Sequence, residues 1–84
     1  MSSKHTHKIA VIGAGSWGTA LGIQLARAGA DACLWGMEPE VIDSLTNDRV
    51  NHRFLPEIRV PDNLLVSADL EENIRAHRDI LLVV

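Results

Sequence analysis

The chain has 84 residues, of which 46% are hydrophobic, and its net charge is −3 from 8 basic and 11 acidic residues. Because no basic stripe runs along this acidic chain, its composition offers no electrostatic basis for nucleic-acid binding. No apolar run approaches the ~18 residues that cross a membrane, and no signal peptide begins the chain, so the expected location is cytoplasmic.

Residues 1–7 are predicted to form a disordered tail, in which His5 and His7 are typical of a solvated terminus rather than of a metal site. The single cysteine, Cys33, excludes an internal disulfide and is predicted to be a small buried side chain. The last five residues, 80–84, are all apolar and predict a buried parallel strand. No polar tail follows that strand, so we expect a fragment of a longer protein.

The strongest local pattern spans residues 8–22, which have the sequence KIAVIGAGSWGTALG. Four of its first five residues are apolar and three of those are β-branched, which predicts a buried strand. A helical pattern follows over about residues 17–28. Between them stand three glycines spaced as G-x-G-x-x-G, namely Gly13, Gly15 and Gly18. Strand, glycine turn and helix in that order indicate a dinucleotide-binding motif, the alternative being a plain strand–turn–helix.

Each glycine of this motif has a separate predicted task. Gly13 lets the chain leave the strand in a tight turn, Gly15 leaves room for a pyrophosphate, and Gly18 permits close packing of the helix. The first helical N–H groups have no partners within the helix, and the dipole there is positive. A dinucleotide diphosphate would satisfy both, which predicts its binding at this helix start.

The remaining elements alternate between strands and helices. Gly29 is predicted to follow the first helix as a C-cap residue. The later predictions are a strand over 32–35, a helix from Pro39 fading near Asn47, an irregular segment over 48–63, a strand over 64–66, a helix capped by Asp69, and the final strand. This alternation predicts an α/β fold: a Rossmann-type doubly wound parallel sheet, incomplete with its first four strands, in three α/β/α layers. The expected strand order is 3-2-1-4, with the ligand between strands 1 and 4.

The end of the second strand bears on which dinucleotide binds, because a residue there contacts the adenosine ribose in this fold. The spacing puts Gly36 or Met37 at that position, and neither is charged. The missing carboxylate argues against strict NAD selectivity and removes repulsion toward the 2′-phosphate of NADP without supplying a cation. Three arginines are candidates for that cation: Arg27, Arg49 and Arg53.

More specific sequence pieces accompany the glycines. Ser16 and Trp17 come directly before the sequence G-T-A-L. Further along the chain, L-W-G stands at 34–36, P-E at 39–40 and N-x-x-F-L-P at 51–56. The last two pieces are P-x-N-L at 61–64 and D-L at 69–70. In that order they closely resemble the N-terminal part of the bacterial NAD(P)-dependent sn-glycerol-3-phosphate dehydrogenases, over about residues 8–84. The resemblance implies an enzyme that reduces dihydroxyacetone phosphate to sn-glycerol 3-phosphate with NADPH or NADH, for phospholipid synthesis.

The resemblance also implies cofactor contacts at Ser16, Trp17 and Met37. The predicted cofactor site is therefore Gly13, Gly15, Ser16, Trp17, Gly18 and Met37. Methionine departs from the basic residue or histidine that is frequent in the family, although an NADP preference is still favoured. The family's catalytic and substrate-phosphate residues lie beyond residue 84, in part in a substrate domain, so the 84 residues alone are expected to be inactive.

Three side chains near the motif have alternative interpretations. Ser16 could be a plain N-cap, and Trp17 could either line the cofactor cleft or pack on neighbouring structure. Phe54, with the Leu-Pro that follows, is predicted to anchor a loop, and Trp35 is predicted to lie in the core.

Two other functions stay open. One is a different two-domain dehydrogenase acting on a hydroxy acid or a sugar acid, and the other is a non-catalytic dinucleotide-binding module. The expected partner is a small-molecule substrate, without nucleic acid, membrane insertion or a bound metal. A homodimer is also left open.

Overall fold

The computed structural model describes residues 8–83, so the tail predicted over residues 1–7 lies outside the described part. The strands are β1 (Lys8–Ile12), β2 (Asp31–Trp35), β3 (Val50–Asn51), β4 (Leu55–Arg59), β5 (Leu65–Ser67) and β6 (Asp79–Leu82). The helices are α1 (Ser16–Arg27), α2 (Pro39–Asp43), a π-helical turn (Ser44–Asp48) and α3 (Leu70–Ala76).

Four strands form one parallel sheet in the order β5-β2-β1-β6. Counted among these four strands, that order is 3-2-1-4, so the predicted topology is confirmed. In the register of the sheet, Ala10 of β1 lies opposite Cys33 on one side and Ile80 on the other. The last strand begins at Asp79 and ends at Leu82, which shifts it slightly from the predicted range.

Helices cover both faces of this sheet. Leu34 of β2 belongs to the same core cluster as Ile23 of α1. The preceding residue, Cys33, lines a cavity with Asn73 of α3. Because successive side chains of a strand point to opposite faces, α1 and α3 lie on opposite sides of the sheet. The three-layer α/β/α arrangement is therefore confirmed.

The core lies mainly between α1, the sheet and the segment after β2. Its members share nearly complete burial: Val11, Ala14, Ile23, Ala26, Ala32, Leu34, Val41, Leu45, Val60 and Leu64. Burying the valine, leucine and isoleucine side chains of this cluster contributes about 1.5–3 kcal/mol each, and the alanines contribute less.

Two local signals at helix ends are confirmed. Asp69 caps α3, because its side chain accepts a hydrogen bond of 3.0 Å from the Glu72 backbone N–H. Gly29 follows the α1 C-cap residue with φ +93°, a conformation that glycine adopts without a Cβ penalty.

The prediction of an irregular segment over residues 48–63 is wrong. Strands β3 and β4 form a small antiparallel sheet there, with Val50 opposite Arg59 and Asn51 opposite Leu55. Pro56 lies within β4, although proline disfavours the interior of a strand. The register shifts between Val50 and Asn51, so Pro56 lies in a stretch of β4 with no directly opposed residue on β3. Proline is tolerated at such an irregularity because no ladder hydrogen bond is lost.

The helices of residues 8–83 are all too short, or too polar, to cross a membrane.

Candidate functional site

The carboxyl ends of β1, β2 and β6 open on one cavity of about 410 Å³. It is lined by Ile12, Gly13, Ala14, Gly15, Trp35, Met37, Glu38, Phe54, Leu82 and Val83. This position lies between strands 1 and 4 of the parallel order, where the sequence predicts the ligand. We call this cavity the cleft.

The turn from β1 into α1 depends on two glycines. Gly13 has φ +125°, its N–H donates to the Trp35 carbonyl at 2.8 Å, and a Cβ on it would overlap the Val83 carbonyl oxygen. A Cβ on Gly18 would overlap the Gly13 carbonyl group, whose carbon would lie only 2.8 Å away. The close approach predicted for Gly18 is therefore an approach of α1 to the turn itself.

Gly15 differs from its two neighbours in the motif. It is the N-cap of α1 with φ −77° and ψ −163°, an extended conformation that any residue adopts. Outside Gly15 and its two chain neighbours, no described atom lies within 4 Å of the position that a Cβ would take. The fold of residues 8–83 therefore does not require glycine here, and the space in front of the backbone is open to a ligand.

The start of α1 carries no side-chain cap among the described residues. The Ser16 hydroxyl instead donates to the Phe54 carbonyl at 2.8 Å, so the N-cap interpretation of this serine is wrong. Trp17 is 72% exposed, so the alternative that it packs on neighbouring structure is wrong for the described part. Trp17 and Ser16 line a second cavity of about 270 Å³, which also contacts Phe54 and Gly15.

Met37, the predicted ribose contact, lies on the cleft and is 77% exposed. Its neighbour Glu38 also lines the cleft, so the residues nearest the end of β2 bring a carboxylate but no cation to this wall. The electrostatics of this wall alone do not favour a 2′-phosphate.

The three candidate arginines have different surroundings. Arg49 donates to the carbonyls of Pro61 and Leu64 at 2.6 and 2.7 Å. Its guanidinium therefore stabilises the loop over residues 61–64 rather than facing the cleft. Arg27 lies in the last turn of α1, at the end opposite the cleft. Arg53 pairs with Glu40 at 2.7 Å and stacks on the ring of a cleft residue, with its guanidinium carbon 4.9 Å from the ring centre.

That ring belongs to Phe54, which sequence reasoning did not assign to the site. Phe54 packs against the core cluster, as the loop-anchor prediction requires, and it also lines both cavities. Trp35 differs from its prediction, because it is only half-buried, lines the cleft and donates from Nε1 to the Ala68 carbonyl at 3.3 Å. The N-x-x-F spacing is the one sequence signal for Phe54, but only the fold brings it beside the glycine turn.

The remaining chemically reactive side chains lie away from the cleft. Burial raises the pKa of the Cys33 thiol to about 11, with a smaller contribution from the Glu72 carboxylate. The thiol is therefore neutral at pH 7, which confirms a buried structural cysteine. Across residues 8–83, no group of three or more His, Cys, Asp or Glu side chains is placed to hold a metal ion.

Comparisons with known proteins agree with this geometry. The family model described as "NAD-dependent glycerol-3-phosphate dehydrogenase N-terminus" matches residues 8–84. The chain is 55% identical over 74 residues to glycerol-3-phosphate dehydrogenase [NAD(P)+] of Vibrio campbellii, covering 88% of this chain and 21% of that protein. It is 52% identical over 77 residues to the Vibrio cholerae protein of the same name, covering 92% of this chain and 22% of that protein.

Solved structures agree as well. Glycerol-3-phosphate dehydrogenase from Coxiella burnetii superposes with a TM-score of 0.87 at 43% identity, covering 94% of this chain and 24% of that one. The yeast enzyme from Saccharomyces cerevisiae superposes with a TM-score of 0.84 at 25% identity, covering 95% and 26%. The chain spans about a fifth of the length of the curated relatives it matches. Over that span, it belongs to the NAD-dependent glycerol-3-phosphate dehydrogenase family.

Proposed function

We propose that this chain is the cofactor-binding portion of an NAD(P)-dependent glycerol-3-phosphate dehydrogenase, which reduces dihydroxyacetone phosphate to sn-glycerol 3-phosphate. Residues 8–84 would form the N-terminal part of a Rossmann domain, and a substrate domain would lie outside this chain. The observation that carries the proposal is the open space in front of Gly15, at the uncapped start of α1. A pyrophosphate fits that space chemically, because backbone N–H groups and the positive helix dipole both favour an anion.

Within this proposal, different residues of the chain bind different parts of the dinucleotide. The turn of Gly13, Gly15 and Gly18 would bind the diphosphate, and Ser16 and Trp17 would border it at the helix start. Met37 would lie beside the adenosine ribose. When bound, the nicotinamide supplies a hydride. The chain itself binds and orients the cofactor, and we assign no catalytic residue within it.

The activity is tested with the full-length protein, assayed for NADPH and NADH oxidation with dihydroxyacetone phosphate. We expect turnover from the full-length protein and none from the isolated 84 residues, because hydride transfer needs a held substrate and a donor for the developing alkoxide. Turnover of a hydroxy acid or sugar acid instead would favour the other dehydrogenase. Dinucleotide binding without any turnover would favour the non-catalytic module.

Cofactor choice is tested at Met37. Met37→Arg is expected to favour NADPH over NADH by ~1–3 kcal/mol, because a guanidinium can form a charge-assisted hydrogen bond with the 2′-phosphate. The observable is the ratio of kcat/KM for the two cofactors. Met37→Leu is the matched control, since it keeps an apolar side chain of similar size. An unchanged ratio in Met37→Arg would place this residue outside the site.

The wider setting is also proposed. We place the protein in the cytoplasm, acting on a small-molecule substrate as a homodimer. Cell fractionation and light scattering of the full-length protein test these two statements, and a membrane-bound or strictly monomeric protein would contradict them.

A further inference from the structure

Asn51 lies on β3, outside the glycine motif, yet it is fully buried. Its side-chain amide donates to the Ala14 carbonyl at 2.9 Å and to the Thr19 hydroxyl oxygen at 2.9 Å. Its side-chain oxygen accepts from the Phe54 N–H at 3.1 Å. Both amide donors and the carbonyl are thus used within the protein, so this side chain is not available to a ligand.

These hydrogen bonds join two walls of the same cleft. Ala14 belongs to the glycine turn, and Phe54 comes from the segment between β3 and β4. The Ser16 hydroxyl makes a second connection, since it donates to the Phe54 carbonyl at 2.8 Å. We call this set of four hydrogen bonds the clasp. Asn51 and Ser16 each bind the Phe54 backbone, and Asn51 also binds Ala14 and Thr19.

The clasp holds the backbone of Phe54 at both of its polar groups. Its N–H is bound by Asn51 and its carbonyl by Ser16, so the peptide on either side of the ring is fixed relative to α1. A wall residue fixed before the ligand arrives loses less conformational entropy on binding, which increases affinity.

We propose that Asn51 is a positioning residue for dinucleotide binding, acting through Phe54, whose ring it holds opposite the glycine turn. This inference rests on the proposed function, because it requires a dinucleotide in the cleft. Asn51 itself contacts no ligand. Its effect on affinity depends on the Phe54 ring, which distinguishes this role from a general contribution to stability.

The test is a double-mutant cycle in the full-length protein with Asn51→Asp and Phe54→Ala. Asn51→Asp keeps the size and the acceptor for the Phe54 N–H, but it loses both donors and turns a carboxylate toward the Ala14 carbonyl. We expect it to weaken NADPH binding about tenfold, because repulsion between the carboxylate and the Ala14 carbonyl would displace the Phe54 backbone that the same side chain binds. In the Phe54→Ala background the same change should alter the dissociation constant by less than about twofold, because the ring it positions is gone.

Calorimetric titration gives the dissociation constants, and thermal unfolding gives the stability of each variant. Asn47→Asp is the matched control, since Asn47 is exposed on the π-helical turn and lies outside the clasp. An equal loss of affinity in both backgrounds, or lower stability with unchanged affinity, would overturn the inference. If Asn51→Asp does not fold, Thr19→Val takes its place in the cycle, because it removes the hydroxyl that accepts from Asn51 and adds no charge. The same dependence on Phe54 is expected.

The wild-type titration separates the two proposals. If the wild-type protein binds neither NADPH nor NADH, the proposed function fails and the inference fails with it. If the wild-type protein binds and the cycle shows no coupling, only the inference about Asn51 fails.

Discussion

Replacing Gly15 with valine is expected to abolish dinucleotide binding in the full-length protein while leaving its fold intact. The side chain would fill the space in front of the α1 N-terminus, where no described atom outside Gly15 and its chain neighbours lies within 4 Å of a Cβ. Lost charge-assisted hydrogen bonds and overpacking against the diphosphate together predict a loss of affinity of about 100-fold or more. The stability cost is limited to about 1 kcal/mol, because valine is a poorer N-cap residue than glycine.

Calorimetric titration with NADPH measures the Gly15→Val effect, and circular dichroism checks the fold. Ala28→Val is the matched control, because Ala28 is the exposed C-cap at the opposite end of the same helix. It adds the same kind of bulk without approaching the cleft. Unchanged NADPH affinity in Gly15→Val would remove the central argument for a diphosphate at this turn.

Gly18→Ala is expected to destabilise the fold itself, in contrast to Gly15→Val. The added methyl group would overlap the Gly13 carbonyl, which is backbone and cannot rotate away. Forced overpacking of this kind costs about 1–3 kcal/mol and occasionally more. Urea unfolding of the full-length protein should therefore show a lower midpoint, and NADPH binding should weaken as the turn is displaced.

Gly22→Ala provides the control on the same helix, one turn further along. Its methyl group would meet the flexible end of the Leu64 side chain at 3.3 Å rather than a backbone atom. The higher helix propensity of alanine offsets up to about 1 kcal/mol of any crowding there. Equal destabilisation by Gly18→Ala and Gly22→Ala would show that the approach of α1 to the Gly13 turn is not the constraint we describe.

The surroundings of Arg53 illustrate why cofactor choice could not be predicted from the sequence. Three arginines were candidates for a 2′-phosphate, and nothing local separates them. The fold commits Arg49 to two carbonyls and leaves Arg27 at the far end of α1. Arg53 alone of the three stacks on a cleft residue, but it is also paired with Glu40, so its charge is already compensated.

The elements that could be predicted from the amino-acid sequence are those whose signals lie within a few residues of one another. Neighbours in the chain specify the strand, glycine turn and helix that begin at residues 8–22, and likewise the Asp69 cap and the helix end at Gly29. The alternation of strands and helices, from which the 3-2-1-4 sheet was predicted, is also visible in the linear sequence. Backbone conformation and capping depend on contacts over about four positions, so a linear pattern contains them.

Which distant residues complete the cleft depends on the tertiary fold. The Phe54 carbonyl accepts a hydrogen bond from Ser16, which lies 38 residues earlier in the chain. The Asn51 side chain donates to the Ala14 carbonyl, which lies 37 residues earlier. Asn51 lies on β3, and Phe54 lies in the turn between β3 and β4. Pro56 lies in the stretch of β4 where the register with β3 shifts, so its tolerance depends on how two separate strands pair. Hydrogen bonds between segments so far apart depend on how the chain crosses the sheet, and no local spacing specifies that geometry.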